Sequence, residues 1–458
     1  EYILIMEYIG AIISLIFIAF SGILLLKKYN PHAVLLVSGL LMLIIANLLD
    51  YNLPSLKVPT GFSGFDLFRY IKESFSKTNA GVGLMIMAIG GFVAYIDKIG
   101  ASDALVYVAM KPLKLLKKYP YVAASLVIPI GQLLFIAIPS AAGLGLLLMA
   151  SMFPILVNLG VSKLSAVSVI TATTAFGIGP ASAITASATS IAKVDTVYFF
   201  LNEQIPMVIP LSVIMMITYY FLNRHFDKQL EIEKQSHSNK EKEVNSPLIY
   251  ALIPIFPIFL LIIFSKILNL FNTAISLDTT TAMFISLFLG LIFELVRTKD
   301  VRQVLNSLKT FWNGMGNIFK TVVTLIITAD IFAKGLISLG FIEGLLDLSQ
   351  SFGFGVVGIG ITMTIMIFLA SMLMGSGNAS FFAFGPLVPK ITNKLGADAT
   401  EIILPMQLSA SMGRTVSPIS GVLIATAEIA KVSTIDIVKR NIIPLGVALL
   451  VMLFYHYI

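Results

Sequence analysis

The 458-residue chain is 57% hydrophobic and only 12% charged, with a mean hydropathy of +0.93; a soluble domain carries about a quarter of its residues as charges, so the composition excludes one and indicates an integral membrane protein. The net charge of +7 lies in the loops between apolar runs, where it reports topology and not nucleic-acid binding. With no cysteine there is no disulfide, thiolate nucleophile or cysteine metal site, and no alternating ten-residue pattern suggests a barrel.

No charged n-region or cleavage site opens the chain, so no removable signal peptide is expected. Apolar runs near 3–26, 33–49 and 82–96 predict three spanning helices. Lys27 and Lys28 fill the first turn, and a longer polar connection, 50–80, joins the second run to the third. Residues 101–118 set Lys111, Lys114, Lys117 and Lys118 among Leu and Val, as a helix lying in the membrane interface would. The run 121–150 is apolar but interrupted by Pro129, Gly131, Gln132, Pro139, Ser140 and Gly143, which predicts a re-entrant helical hairpin with its tip near 138–143. The stretch 162–192 is long and broken at Gly177–Pro180, and 205–222 closes the first half. Residues 223–246 form the one long polar run and read as a solvated cytoplasmic linker, dividing the chain into 1–222, 223–246 and 247–458.

The second half repeats this order, with spans near 247–264, 280–296 and 319–332, an interfacial piece at 341–350, and a second hairpin at 354–390 with its tip at 375–380. A broken helix at 404–431 and a last span at 442–457 follow. The break falls at 413–421, because Pro418 removes an amide donor and disfavours helix at Ser417. Backbone freed in hydrocarbon survives only inside protein or beside a water-filled cavity. An arginine at that depth, Arg414, costs ~2.5–3.5 kcal/mol on insertion scales and is tolerable where an anion visits.

The two halves match at a fixed offset of 238: Pro180/Pro418, Ser182/Ser420, Ile191/Ile429, Ala192/Ala430, Lys193/Lys431, Val194/Val432, Thr196/Thr434, Ile205/Ile443 and Pro206/Pro444. Upstream, Leu159-Gly160 pairs with Leu395-Gly396 two residues out of register. The pattern predicts an internal duplication. Five spans per half, plus a hairpin that returns to its own side, make the repeat inverted, so the expected fold is an all-α polytopic membrane protein. With the N-terminus outside, the inner side receives Lys27, Lys28, Lys111 to Lys118, the linker, Arg297, Lys299, Arg302, Lys309, Lys439 and Arg440, while Lys57, Arg69, Lys72 and Lys77 share one outer loop.

Paired broken helices in inverted repeats place a site at the midplane, where half-helix N-termini face anions and unwound carbonyls hold cations. Here two hairpin tips and two breaks would converge. The second tip, Ser376, Gly377, Asn378, Ala379 and Ser380, is small and polar, and successive amides near a helix start can cradle a carboxylate. The first tip offers Ser140 and Ala141; the first break offers Thr173, Thr174, Gly179, Pro180 and Ser182, hydroxyls and backbone without charge. The second break carries Arg414, Thr415, Ser417 and Pro418, with Arg414 the main fixed cation. Two blander readings stand beside this one: Arg414 pairs structurally with Glu428 or Asp330, and the small residues only let helices approach closely. The four histidines lie in loops or at the terminus, no close carboxylate pair occurs within the spans, and no P-loop is present. A membrane-embedded enzyme therefore finds no catalytic constellation, no cofactor is expected, and gradients must drive any transport.

The segments GSGNASFFAFGPLVP and QLSASMGRTVSPISGVLIATAEIAKVS resemble the DcuC-type anaerobic four-carbon dicarboxylate carriers, and the length, linker and apolar profile extend the resemblance over essentially the whole chain. These carriers are similar to the wider ion-transporter superfamily. The resemblance implies a homodimer in the bacterial cytoplasmic (inner) membrane, a scaffold region, and a mobile transport region that holds both hairpins and moves through the lipid bilayer as an elevator. It implies succinate, fumarate or malate as substrate, with succinate efflux or fumarate/succinate exchange. It places Ser376 to Ala379 at the hairpin-tip signature and Arg414, Thr415, Ser417 and Pro418 at the break. The first tip, Ser140-Ala141-Ala142, departs from the Ser-Asn-Thr type of sodium-coupled relatives, which favours proton-linked efflux or electroneutral exchange; the coupling ion, proton or sodium, stays open. One arginine does not tell a dicarboxylate from a monocarboxylate, so another small organic anion or an amino acid is the alternative cargo.

Overall fold

The computed structural model describes residues 2–116, 118–229, 246–265, 268, 270, 275, 277–351 and 355–457, and their regular secondary structure is all helical. The first half gives α1 (Tyr2–Leu26), α2 (Pro31–Leu48), α3 (Ser63–Ala80), α4 (Val82–Lys98) and α5 (Ala101–Met110). Then come α6 (Pro120–Ala137), α7 (Ala141–Ser151), α8 (Phe153–Asn158), α9 (Lys163–Ala172), α10 (Ala183–Ala192) and α11 (Thr196–Tyr198), the last running through a π-helical segment, Phe199–Gln204, into α12 (Ile205–Gln229). The second half gives α13 (Phe256–Ile263), α14 (Thr279–Thr298), α15 (Val301–Ile318), a π-helical segment Phe319–Val323, α16 (Thr324–Ser338) and α17 (Phe341–Ser351). It ends with α18 (Val356–Met374), α19 (Gly377–Phe384), α20 (Val388–Leu395), α21 (Ala399–Thr415), α22 (Gly421–Ala430) and α23 (Thr434–Tyr457). Among the described residues eight helices are long and apolar enough to cross a membrane, or nine if α3 and α4, bent by 52°, make one span.

Several helix starts, caps and turns recur at similar spacing in the two halves. Ser140 and Ser376, 236 apart, each cap the helix that opens after them, α7 and α19. The pairs α10/α22 and α11/α23 open 238 residues apart, and Lys193 and Lys431 both turn through the left-handed region, with φ of 57° and 56°.

Contacts divide the chain into two compact units, each drawn from both sequence halves. The first comprises Glu1–Leu84, Ser187–Lys193 and Phe319–Gly413; the second comprises Met85–Ala186, Val194–Ile318 and Arg414–Ile458.

In the first unit α2 and α16 cross closely through small residues. A Cβ on Gly39 would fall 2.6 Å from the Phe332 backbone nitrogen, and one on Gly335 would fall 2.8 Å from Met42 Cβ. The connection read as polar contains α3, an amphipathic helix whose buried residues Leu67, Tyr70, Ser74 and Thr78 follow helical spacing. Leu67 and Tyr70 join Leu43 and Ile331 in a buried cluster, and Ser74 donates to Asp330, the ion-pair partner of Lys334.

The second unit holds the first hairpin, α9 with the first break, and α22 beyond the second break. Its α6 lies so close to the end of α9 that a Cβ on Gly131 would sit 2.3 Å from Thr173 Cγ2. Three expectations need correction. The span at 247–264 is a 3-10 turn, Leu248–Leu252, followed by the eight residues of α13, because Pro247, Pro254 and Pro257 break the register. The span at 319–332 continues without interruption from α15 through α16, a 38-residue helix. Finally, α12 runs to Gln229, so the first residues assigned to the solvated linker are helical and two of them, Asn223 and Asp227, are buried. The rest of the linker, 230–245, lies outside the described residues.

Candidate functional site

At the first break α9 ends at Ala172, and its last carbonyls are closed by the residues that follow. The Thr173 amide and hydroxyl donate to the Ile170 carbonyl (3.2 and 2.6 Å), and those of Thr174 donate to the Thr171 carbonyl (3.2 and 3.1 Å). Both hydroxyl protons are thus spent on their own helix, leaving the oxygens as acceptors. The chain then turns at Gly179, whose φ of 96° is left-handed backbone that a side chain resists. Gln204, from the π-helical segment and fully buried, holds this turn: its Oε1 accepts from the Gly179 amide (2.9 Å), and its Nε2 donates to Thr185 Oγ1 (3.0 Å). Pro180 is buried, and the Ser182 amide donates to the Gly179 carbonyl (3.0 Å) just before α10 begins.

At the second break α21 stays helical through Thr415, so the unwound stretch is 416–420 and Arg414 stands in the last helical turn, not in the unwound segment as expected. A cation is favourable at the carbonyl end of a helix. The Arg414 Nη2 donates to the Thr174 carbonyl, bringing the two breaks into contact. Among the described residues no carboxylate pairs with it: Glu428 is exposed, and Asp330 has Lys334 as its partner within the first unit. Among the described residues Arg414 therefore makes no structural ion pair with Glu428 or Asp330. Asn441, on α23, donates to the Thr415 carbonyl and to Thr171 Oγ1 (both 3.0 Å), and its side-chain oxygen accepts from the Tyr219 hydroxyl (2.9 Å). Within the unwound stretch the Ser417 amide donates to the Arg414 carbonyl (3.2 Å), Ser417 Oγ accepts from the Ile419 amide (3.4 Å), and Pro418 is exposed. Ser420 caps α22 without a side-chain bond to it, and its buried hydroxyl has no hydrogen-bond partner.

The tips are built alike. Ser140 Oγ accepts from the Gly143 amide (3.1 Å), with Ala141 half-buried beside it. Ser376 Oγ accepts from the Ala379 amide (3.2 Å) after Gly375 has ended α18 at a φ of 69°. The Ser380 hydroxyl donates to the Gly377 carbonyl (3.0 Å); Asn378 is half-buried and Ala379 buried. Gly377 lies on α21, where a Cβ would stand 2.8 Å from the Ala410 carbonyl. Of the predicted site residues, the second unit brings Thr173, Thr174, Arg414 and Thr415 together, adds Gly179, Pro180 and Ser182 through Gln204, and also holds Ser140, Ala141, Ser417 and Pro418. Ser376 to Ser380 belong to the first unit.

Several residues that fix this geometry escape sequence reasoning. Gln204 and Asn441 stand just before the spans read at 205–222 and 442–457, next to Asn202-Glu203 and Lys439-Arg440, so nothing in the sequence marks them as buried. The other two are charges taken for loop or linker residues. Asp227, fully buried, accepts from the Tyr121 hydroxyl (3.2 Å), the Ser162 amide and hydroxyl (3.2 and 2.8 Å), the Ser165 hydroxyl (2.8 Å) and Arg440 Nη2 (3.3 Å). Arg440, counted from sequence among the loop charges, is buried too and also donates to Asn223 Oδ1 (3.3 Å). The pair ties the bases of α9, α12 and α23, the helices that carry Thr171, Tyr219 and Asn441. No cluster of metal-ligating side chains occurs among the described residues.

Comparison with known proteins agrees with this architecture. The family described as C4-dicarboxylate anaerobic carrier, DcuC, matches residues 9–458. The anaerobic C4-dicarboxylate transporters DcuC of Escherichia coli (strain K12) and Shigella flexneri are each 32% identical over 449 residues, covering 98% of this chain and 96% of theirs. Among solved structures, the Neisseria gonorrhoeae MtrF protein, described with a class of antimetabolite efflux pumps, has a TM-score of 0.63 at 13% identity, covering 94% of both chains. The Alcanivorax borkumensis YdaH transporter has a TM-score of 0.60 at 13% identity, covering 93% of this chain and 98% of that one. These two likenesses concern the fold.

Proposed function

Because the chain belongs to the DcuC family of anaerobic C4-dicarboxylate carriers, we propose that it moves succinate, fumarate or malate, by succinate efflux or fumarate/succinate exchange. It is a multi-pass protein of the inner membrane. The observation that carries the substrate reading is Arg414, an arginine at an interrupted helix with no carboxylate of its own among the described residues. A guanidinium presents five donors, of which the Thr174 carbonyl takes one, so an edge of the group is left for a carboxylate. The N-terminus of α22, uncapped by any side chain, is suited to negative charge.

In this reading the halves form an inverted repeat, two copies associate as a homodimer, and a region carrying the hairpins moves as an elevator. The matched helix starts and N-cap serines support the repeat. Counterflow in proteoliposomes with labelled succinate, fumarate, malate, monocarboxylates and amino acids tests the cargo. Unlabelled fumarate inside should drive succinate accumulation; selective counterflow of a monocarboxylate or an amino acid would replace the dicarboxylate reading.

A further inference from the structure

We propose that the Arg414 guanidinium is a tethered cation, occupying the place at the carbonyl ends of α9 and α21 where a freely diffusing coupling cation would otherwise be held. The proposal deepens the carrier reading above and rests on it. Two half-helices that end inside a membrane protein turn the negative ends of their dipoles and their unpaired carbonyls into one region. Such ends are the places where a transporter binds a coupling cation. A bare cation enters only if several oxygens are free to replace its hydration shell.

Here six of the carbonyls at the two ends already accept a hydrogen bond. The Ile170 and Thr171 carbonyls accept from Thr173 and Thr174, and the Ala172 carbonyl accepts from the Ala175 amide (3.1 Å). The Arg414 carbonyl accepts from the Ser417 amide and the Thr415 carbonyl from Asn441. The Thr174 carbonyl, beyond the end of α9, accepts from Arg414 itself. The positive charge that faces both helix ends is therefore covalently part of the chain. It does not dissociate during a transport cycle, and the substrate site keeps its cation whether loaded or empty. Sodium then meets a place whose named carbonyls already accept hydrogen bonds and whose positive charge is already supplied.

The test uses thermal unfolding of the purified full-length protein, with sodium chloride exchanged for choline chloride at constant ionic strength and no substrate present. The parent should unfold at the same temperature in both salts. Arg414→Ala should unfold at a lower temperature and recover much of the loss on addition of millimolar guanidinium or of sodium, because removal of the tethered cation reopens its place. Arg414→Lys, which keeps a charge, should show the smaller drop and the smaller recovery; it also serves as the variant arm if Arg414→Ala does not survive purification. A parent whose unfolding temperature rises with sodium overturns the proposal, as does an Arg414→Ala protein that responds to neither cation. Neither arm contains a dicarboxylate, so a failure here leaves the cargo reading intact, and a failed counterflow experiment leaves this result intact.

Discussion

The Asn441 side chain closes the end of α21 by donating to the Thr415 carbonyl at 3.0 Å, and with the same amide it holds Thr171 Oγ1 on α9. One amide thus ties both interrupted helices to α23. Replacement by leucine, similar in volume, would leave the Thr415 carbonyl without this donor in a buried setting. Asn441→Leu should lose on the order of 1–3 kcal/mol of stability, the cost of stranding a buried polar group. Denaturant unfolding in detergent measures this, and a variant as stable as the parent would show that the amide does not hold the break together.

The Asp227–Arg440 pair should respond asymmetrically. Asp227 keeps four other donors when Arg440 is removed, from Tyr121, Ser162 and Ser165, whereas Arg440 without Asp227 is a buried guanidinium with only neutral acceptors. Asp227→Ala should cost ~3–5 kcal/mol, the range for breaking a buried pair, and Arg440→Met distinctly less. Equal losses in the two variants would contradict this account.

Gly377 and Gly421 give a matched pair of substitutions at helix starts. A Cβ on Gly377 meets the Ala410 carbonyl at 2.8 Å, while one on Gly421 meets nothing within 4 Å. Gly377→Ala should lift the second hairpin tip from α21, with an overpacking cost of roughly 1–3 kcal/mol and loss of succinate counterflow. Gly421→Ala should transport like the parent. Counterflow in both reconstituted variants decides, and a transport-competent Gly377→Ala would remove the need for that close contact.

Arg414→Lys should retain the charge and lose the paired geometry by which guanidinium holds a carboxylate. Succinate binding should weaken by about 1.5–3 kcal/mol, the range for hydrogen bonds to charged groups, or roughly ten- to a hundred-fold. Titration calorimetry on stable protein measures it, and parent-like affinity would remove Arg414 from the substrate site.

The hairpin tips and helix breaks were legible in the sequence because glycine, proline and small polar residues interrupt otherwise apolar runs, and such interruptions act locally. The second break was placed one turn early: Gly413 reads as a helix breaker, yet here it packs where a Cβ would stand 2.3 Å from the Phe368 carbonyl, inside an intact helix. The helix α3 was hidden because its polar and apolar residues alternate with helical period and cancel in any running average. Asp227 and Arg440 were misread for a different reason. A single charge inside a charged stretch carries no local sign of burial, since its partner lies 213 residues away. Likewise Gln204 and Asn441 are visible as polar residues, but which carbonyl or hydroxyl each one serves is decided only by the packed fold.

Orientation follows from loop charge and can be read chemically, because the chain has no native cysteine. A single Ser238→Cys protein in intact cells should react only with reagents that enter the cytoplasm. Labelling by an impermeant maleimide from outside would invert the topology.

Each compact unit takes its helices from both sides of the linker: the first needs 1–84 and 319–413, the second needs 85–186 and 414–458. A half-length chain would therefore complete neither unit and would leave apolar faces such as that of α2, which packs on α16, without their partner. The two halves are obligate complements, in the manner of two interlaced subunits that happen to share a peptide bond. Cutting the chain between 230 and 245 and expressing the pieces together should then yield a working carrier, while either piece alone should be degraded. Neither half is then a domain in its own right; the linker joins what folding requires together.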